Sequence, residues 1–196
     1  MAKILITSGP TRQYLDPVRY LTNASSGRMG RALAQAALDE GHEVVVVSGP
    51  VQVDYPPRAE VFSVITTDDM LEVCQRIFPQ CDGLIGAAAP CDYQPRRVET
   101  QKIAKTGDPL VLHLVETADV VATMGANRLP HQWLVGFEGD AVTEFGEVDG
   151  VAGGDVKRWD ACTELQRSAR NEASSVEADL DLACGVRLLA ELPAIG

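Results

Sequence analysis

Apolar residues arrive in short, nearly continuous runs separated by stretches of helical period, and that alternation predicts the architecture. Lys3 to Ser8 is a run of Ile and Leu ending at the Gly9-Pro10 turn, Glu43 to Ser48 holds four consecutive valines, and Gly83 to Ala89 reads Gly-Leu-Ile-Gly-Ala-Ala-Ala. Runs of this length without a polar face suit strands buried on both sides of a parallel sheet. Glu60 to Ile65, Leu110 to Val115 and Trp133 to Phe137 predict three more strands. Between the first two runs, a helix from Gly27 to about Glu40 places Met29, Leu33, Ala36 and Ala37 on one face, and Gly41 follows as its terminator. A second helix runs from Asp68 to about Phe78, with Thr67 as cap, Met70, Leu71, Cys74 and Ile77 as its apolar stripe, and Pro79 as its stop. Ala118 to Met124 predicts a third, short helix. The succession predicts an α/β fold, a doubly wound, mostly parallel, Rossmann-like sheet in three layers.

Ligands of such sheets bind outside the carboxyl ends of the strands, at the point where the strand order reverses. Three loops open on that edge: the long connection 9–26, the loop 90–106 after the small-residue strand, and the approach to Leu110. The first leads through Asn23, Ser25 and Ser26, all able to cap a helix, into Gly27 and Gly30. A helix N-terminus of that kind offers free N–H groups and the positive end of the dipole to an anion, and the missing side chains allow a phosphate close approach. Gly-x-x-Gly is equally the mark of a helix packed tightly on a strand. With Asp92, Arg19 and Lys102 nearby in the pattern, the expected ligand is phosphorylated and anionic.

Composition narrows the class. The 196 residues suffice for one α/β domain, and no apolar run approaches the ~20 residues of a membrane span. The N-terminus lacks a signal-peptide pattern, so a cytoplasmic protein is expected. Net charge is −11, with 12 basic and 15 acidic side chains in residues 1–137 against 5 and 13 in residues 138–196, which argues against nucleic acid as a partner. The cysteines, at 74, 81, 91, 162 and 184, form no Cys-x-x-Cys pair and suggest buried, inert thiols; no metal ligands are assigned. His113 is expected as a sheet side chain. No Gly-x-Gly-x-x-Gly, Walker A, His-Glu-x-x-His or Gly-x-Ser-x-Gly motif is present, and Ser48 stands where an NAD enzyme would place a ribose-binding acid.

The runs Gly9-Pro10-Thr11-Arg12, Leu15-Asp16-Pro17-Val18-Arg19-Tyr20 and Asn23-Ala24-Ser25-Ser26-Gly27-Arg28-Met29-Gly30 resemble the N-terminal signature of the phosphopantothenate–cysteine ligase family. Ala87-Ala88-Ala89 with Asp92-Tyr93, then Lys102-Ile103-Ala104-Lys105, then Val135-Gly136-Phe137, resemble its later motifs, so the likeness covers residues 3–139. The resemblance implies a ligase of coenzyme A biosynthesis that joins 4′-phosphopantothenate to L-cysteine through an acyl-nucleotide, using CTP, or ATP in its place, with Mg²⁺. It implies a homodimer and leaves room for a separate decarboxylase partner. Carried over by position, it assigns the nucleotide to Gly9, Ser25, Ser26, Gly27, Gly30, Gly86, Ala87, Ala88, Ala118, Asp119, Val120, Val121 and Phe137. It assigns phosphopantothenate to Arg19, Asn23, Ala88, Ala89 and Asp92, with Arg19 reaching across the dimer. Asn23, Lys102 and Asp92 take the catalytic roles: Asn23 holds the acyl-nucleotide and Lys102, on a flap, neutralises the reacting phosphate.

The chain departs from the family at Pro90-Cys91, where Val-Ala is usual, and at Ala118, where Pro is usual. After Phe137 the departure is larger: Glu138-Gly139-Asp140 opens an acidic, Gly-rich segment without the family's nucleotide-facing lysines. Residues 1–139 are therefore read as the Rossmann-like ligase core and 140–196 as a divergent segment of the same domain, or the product of a reading frame lost near codon 138, with helices expected over 159–170 and 179–192. Two other functions compete. One is a phosphopantothenate-binding protein that no longer turns over; the other is an NAD(P)-dependent oxidoreductase, disfavoured because no Tyr-x-x-x-Lys pair occurs.

Overall fold

A computed structural model describes residues 1–137 of the chain. Its centre is a five-stranded sheet of β1 (Lys3–Pro10), β4 (Glu43–Ser48), β5 (Glu60–Ser63), β6 (Gly83–Ala89) and β9 (Trp133–Gly136). The strands lie in the order β5-β4-β1-β6-β9, and every pairing is parallel. Alternate residues of β1 serve opposite faces. Ile4 and Ile6 join Val44, Val46, Ile85 and Val135 under helix α1 (Arg28–Asp39), where Leu33, Ala34 and Ala37 are buried. Leu5 joins Val45, Val47, Leu84 and Leu134 on the other face, under α2 (Thr67–Ile77) and α3 (Val120–Asn127), which contribute Met70, Cys74, Ile77, Val120 and Met124. Helices on both faces give the three layers expected of a doubly wound sheet.

Two small antiparallel ribbons lie outside this sheet. The connection 9–26, read as a loop, contains a hairpin of β2 (Arg12–Tyr14) and β3 (Tyr20–Thr22), closed over the Asp16-Pro17 turn. The second ribbon pairs β7 (Tyr93–Pro95) with β8 (Leu114–Glu116). The expected strand Leu110 to Val115 is thus shorter and shifted: the apolar alternation there belongs to an exposed segment, with Leu110, Val111, Leu112, Leu114 and Val115 all at the surface. His113 is exposed and precedes β8.

Helix ends differ from expectation in two places. Gly27 itself caps α1, in the left-handed region at φ 76°, and no side chain caps the helix, so neither Asn23 nor Ser25 nor Ser26 does so. Glycine suits that geometry because it has no Cβ to clash. Thr66, one residue before the expected cap, closes a reciprocal capping box with Asp69 at the start of α2. Pro79 lies in a short 3₁₀ turn, Phe78–Gln80, that ends the helix. No helix among the described residues is long and apolar enough to cross a membrane. The segment after 137, including the helices expected over 159–170 and 179–192, lies outside the described residues.

Candidate functional site

The strand order reverses between β1 and β6, and the candidate residues gather at the carboxyl ends of these two strands. Gly9, at φ 75°, pairs with Ala88 across the sheet, and Ser8 with Ala87. Gly27 follows as the N-cap of α1, and Gly30 is buried one turn in. A Cβ on Gly30 would sit 2.2 Å from Ser8 Oγ, so this glycine is what allows α1 to lie against β1. Ser25 is half-buried and Ser26 exposed in the approach to the helix. The N-terminus of α1 carries no acidic residue in its first turn, so no side chain of that turn offsets its dipole.

Asn23 ties the first motif to the second. Its Nδ2 donates to the carbonyls of Pro90 at 2.8 Å and Ala89 at 3.4 Å, although the two segments are 66 and 67 residues apart in the chain. The proline at position 90 removes a backbone N–H, but the group that Asn23 uses is the carbonyl, which proline retains. The next residue is held from several sides. The Cys91 amide donates to Thr11 Oγ1 at 2.8 Å, and its carbonyl accepts from Thr117 Oγ1 at 2.6 Å and Thr67 Oγ1 at 3.2 Å. Gln13 Nε2 completes this buried cluster by donating to Thr67 Oγ1. Asp92 then emerges exposed, with its carbonyl accepting from the Thr117 amide.

On the far side of β6, Gly86 lets α3 approach, since a Cβ there would meet Val121 at 2.5 Å. Asp119 caps α3 through the Ala122 amide at 2.8 Å; Ala118 is exposed, Val120 buried and Val121 half-buried. Phe137, half-buried, follows β9 and packs against the α1-side core.

Arg19 and Lys102 belong to a second cluster, organised by a residue that sequence reading passed over. Asp16 is fully buried and accepts from the amides of Val18, Arg19 and Ile103 at 2.8, 2.8 and 3.0 Å. Arg19 Nε and Nη2 reach its second oxygen at 3.0 and 2.8 Å, and Nη2 also donates to the Ile103 carbonyl. Burial alone would raise the Asp16 pKa, but the three amides and the guanidinium outweigh it and hold the carboxyl at about 2. The Asp16-Pro17 pair was the available signal, because Asp before Pro commonly bonds the backbone of its own turn. The loop bearing Lys102 is thereby pinned to the first motif next to it. Lys102 itself is exposed and lines an open groove of about 680 Å³ with Leu15, Arg96, Gln101 and Val111.

Among the described residues no three His, Cys, Asp or Glu side chains gather as metal ligands. Cys74, Cys81 and Cys91 are free and buried, as expected of inert thiols. Burial, with Cys81 close by, pushes the Cys74 thiol up to about 12, and burial likewise pushes Cys81 up to about 11.

A parallel sheet whose switch point carries a glycine-capped helix N-terminus, small residues and an asparagine bridge defines a doubly wound α/β domain. The chain belongs to the family described as the DNA/pantothenate metabolism flavoprotein C-terminal domain, whose model matches residues 1–148. It is 42% identical over 137 residues to the coenzyme A biosynthesis bifunctional protein CoaBC of Escherichia coli, an alignment covering 68% of this chain and 34% of that protein. A crystal structure of the C-terminal domain of a CoaBC protein superposes with a TM-score of 0.60 at 38% identity, covering 68% of this chain and 62% of that one. The DNA/pantothenate metabolism flavoprotein of Streptococcus pneumoniae gives 0.63 at 26% identity, covering 70% and 69%. The chain thus spans about a third of the length of the curated relatives it matches.

Proposed function

We propose that the domain joins 4′-phosphopantothenate to L-cysteine in two steps. The substrate carboxylate first attacks the α-phosphate of a nucleoside triphosphate, the bond to pyrophosphate breaks, and an acyl-nucleotide forms. The cysteine amine then attacks the acyl carbon, the nucleoside monophosphate leaves, and the amide is made. The observation that carries this reading is the Asn23 bridge: it brings the helix end that suits phosphates to the Ala89-Pro90 carbonyls beside Asp92. The kinship with coenzyme A biosynthesis proteins supplies the substrate class.

In this reading the free N–H groups of Gly27 to Gly30 receive the nucleotide phosphates and favour charge on departing pyrophosphate. Ser25 and Ser26 flank them, Gly9, Gly86, Ala87 and Ala88 line the floor, and Ala118, Asp119, Val120, Val121 and Phe137 form the wall for base and ribose. Asn23, with Ala88, Ala89 and Asp92, holds phosphopantothenate, and Asn23 keeps the acyl-nucleotide in place. Lys102 approaches the reacting phosphate on its pinned loop. CTP is favoured over ATP by the style of the motifs. An Mg²⁺ ion would enter with its nucleotide, since that ion usually keeps waters and phosphate oxygens as ligands. When bound it would neutralise the triphosphate.

The working unit is proposed as a homodimer. The β7–β8 ribbon and its flanks expose Val98, Leu110, Val111, Leu114 and Val115, an apolar stretch that a second copy would cover. Arg19, with its side chain 39% exposed, would then serve the phosphate of the partner's substrate. The relatives are bifunctional proteins of about twice this length, and a decarboxylase acting on the ligation product is proposed as a partner. The test is pyrophosphate release from CTP or ATP with Mg²⁺. Release that requires phosphopantothenate supports the ligase; binding of phosphopantothenate without release leaves only a binding protein.

A further inference from the structure

The loop between β4 and β5 carries no residue of the site described above, yet it is built against the nucleotide end of that site. Val51 and Tyr55 come from this loop. A Cβ on Gly9 would meet Val51 Cγ1 at 2.6 Å, and one on Gly27 would meet Val51 at 2.8 Å and the Tyr55 hydroxyl at 3.4 Å. The Tyr55 hydroxyl lies 2.8 Å from both Ser8 Oγ and Ser48 Oγ, at the carboxyl ends of β1 and β4. Ser8 Oγ is in turn 3.3 Å from the Gly27 carbonyl. Ser48 Oγ also donates to the Gly49 carbonyl at 2.8 Å, so three hydroxyl protons serve four contacts. A carbonyl only accepts, and the arrangement that bonds Gly27 has Ser8 donating to Gly27, Tyr55 donating to Ser8 and Ser48 donating to Gly49. The same Gly27 carbonyl accepts the Arg31 amide at 3.0 Å, the first bond of α1.

We propose that Tyr55 is a positioning residue for the nucleotide phosphates, holding the left-handed Gly27 turn, and with it the free N–H groups of α1, through Ser8. The inference rests on the ligase reading for the identity of its ligand. The loop is also fixed to α1 at two other points, by Arg31 Nε on the Asp54 carbonyl at 2.9 Å and by Arg58 Nη2 on the Leu38 carbonyl at 3.0 Å. Removing one hydroxyl therefore leaves the loop docked and isolates the chain to Gly27.

The test uses the full-length protein with Tyr55→Phe, Ser8→Ala and the double variant. Loss of one buried hydrogen bond predicts a nucleotide KM about five- to tenfold higher in each single variant, with kcat and the phosphopantothenate KM within about twofold. The double variant is expected to match the singles, because both substitutions cut the same chain. Amide exchange at Arg31 should speed up by a similar factor. A purely structural role would instead lower the melting temperature and degrade every kinetic constant together, and multiplying effects in the double variant would equally overturn the proposal. An unchanged nucleotide KM with unchanged exchange at Arg31 would refute it. A wild-type chain that releases no pyrophosphate would defeat the ligase reading instead, and exchange at Arg31 would then decide the Tyr55 proposal alone.

Discussion

Gly30→Ala separates two physical effects that predict opposite signs. Helix propensity alone favours alanine over glycine in a helix by about 1 kcal/mol. Packing opposes it: the new Cβ would lie 2.2 Å from Ser8 Oγ, 2.4 Å from Ser8 Cβ and 3.3 Å from Ser8 Cα, where ordinary contact begins at 3.4 Å. Ser8 is fully buried, and the atoms crowded include its Cβ, so rotation of the hydroxyl does not relieve the clash. The helix must withdraw from β1 by roughly 1 Å, and overpacking of this kind costs about 1–3 kcal/mol in a close-packed interior. Withdrawal also breaks the 3.3 Å Ser8–Gly27 contact, adding about 1 kcal/mol. The net expectation is destabilisation by about 1–3 kcal/mol, read as a melting temperature lowered by about 3–10 °C for a domain of this size. Gly41→Ala is the control, since its φ is 82° but nothing lies within 4 Å of the added Cβ, leaving only the backbone cost. A Gly30→Ala variant as stable as the wild type, or more so, would show that α1 does not rest on Ser8 and would refute the packing argument.

Other outcomes follow from single contacts. Asn23→Ala removes the donor to the Pro90 and Ala89 carbonyls, and ligation is expected to fall by about a hundredfold while melting changes little, because Asn23 is exposed; a change under about threefold would contradict its role. Lys102→Ala is expected to lower kcat without altering stability, since the side chain is exposed. Asp16 has a folded pKa below its ordinary value, so its stabilising contacts are complete above about pH 4 and are lost as pH falls through about 2. The Ile103 amide resonance should therefore titrate with a midpoint near 2 and not near 3.8, and Asp16→Asn should abolish the transition. Thr66→Ala opens the capping box of α2 and should cost about 1 kcal/mol by chemical denaturation.

The parallel strands were legible because burial on both faces writes itself as an uninterrupted apolar run: Glu43–Ser48 and Gly83–Ala89 have the expected limits. The ribbons were not, because their signals mislead. Leu110 to Val115 alternates as a half-buried strand would, but only Leu114 and Val115 pair, and both stay exposed. The three-residue strands of the β2–β3 hairpin, Arg-Gln-Tyr and Tyr-Leu-Thr, are too short to show a period. In the site, Asn23 was readable as a residue but its partners were not, since nothing local marks a bond to Pro90 across 67 positions. Asp16 and Tyr55 escaped for the same reason: their importance lies in distant amides and hydroxyls. The glycines carry a double meaning that spacing does not resolve. Gly27 is needed for its positive φ, whereas Gly30 is needed for contact with β1.

The account turns on an acyl-nucleotide formed at the α1 end of the β1–β6 crevice. The most direct measurement is mass spectrometry of the purified chain incubated with 4′-phosphopantothenate, CTP or ATP and Mg²⁺, first without cysteine and then with it. The account predicts phosphopantothenoyl-nucleotide and pyrophosphate before cysteine is added, and conversion to the cysteine amide with nucleoside monophosphate afterwards. Amide with no acyl-nucleotide on quenching, or nucleotide hydrolysis independent of phosphopantothenate, would contradict it.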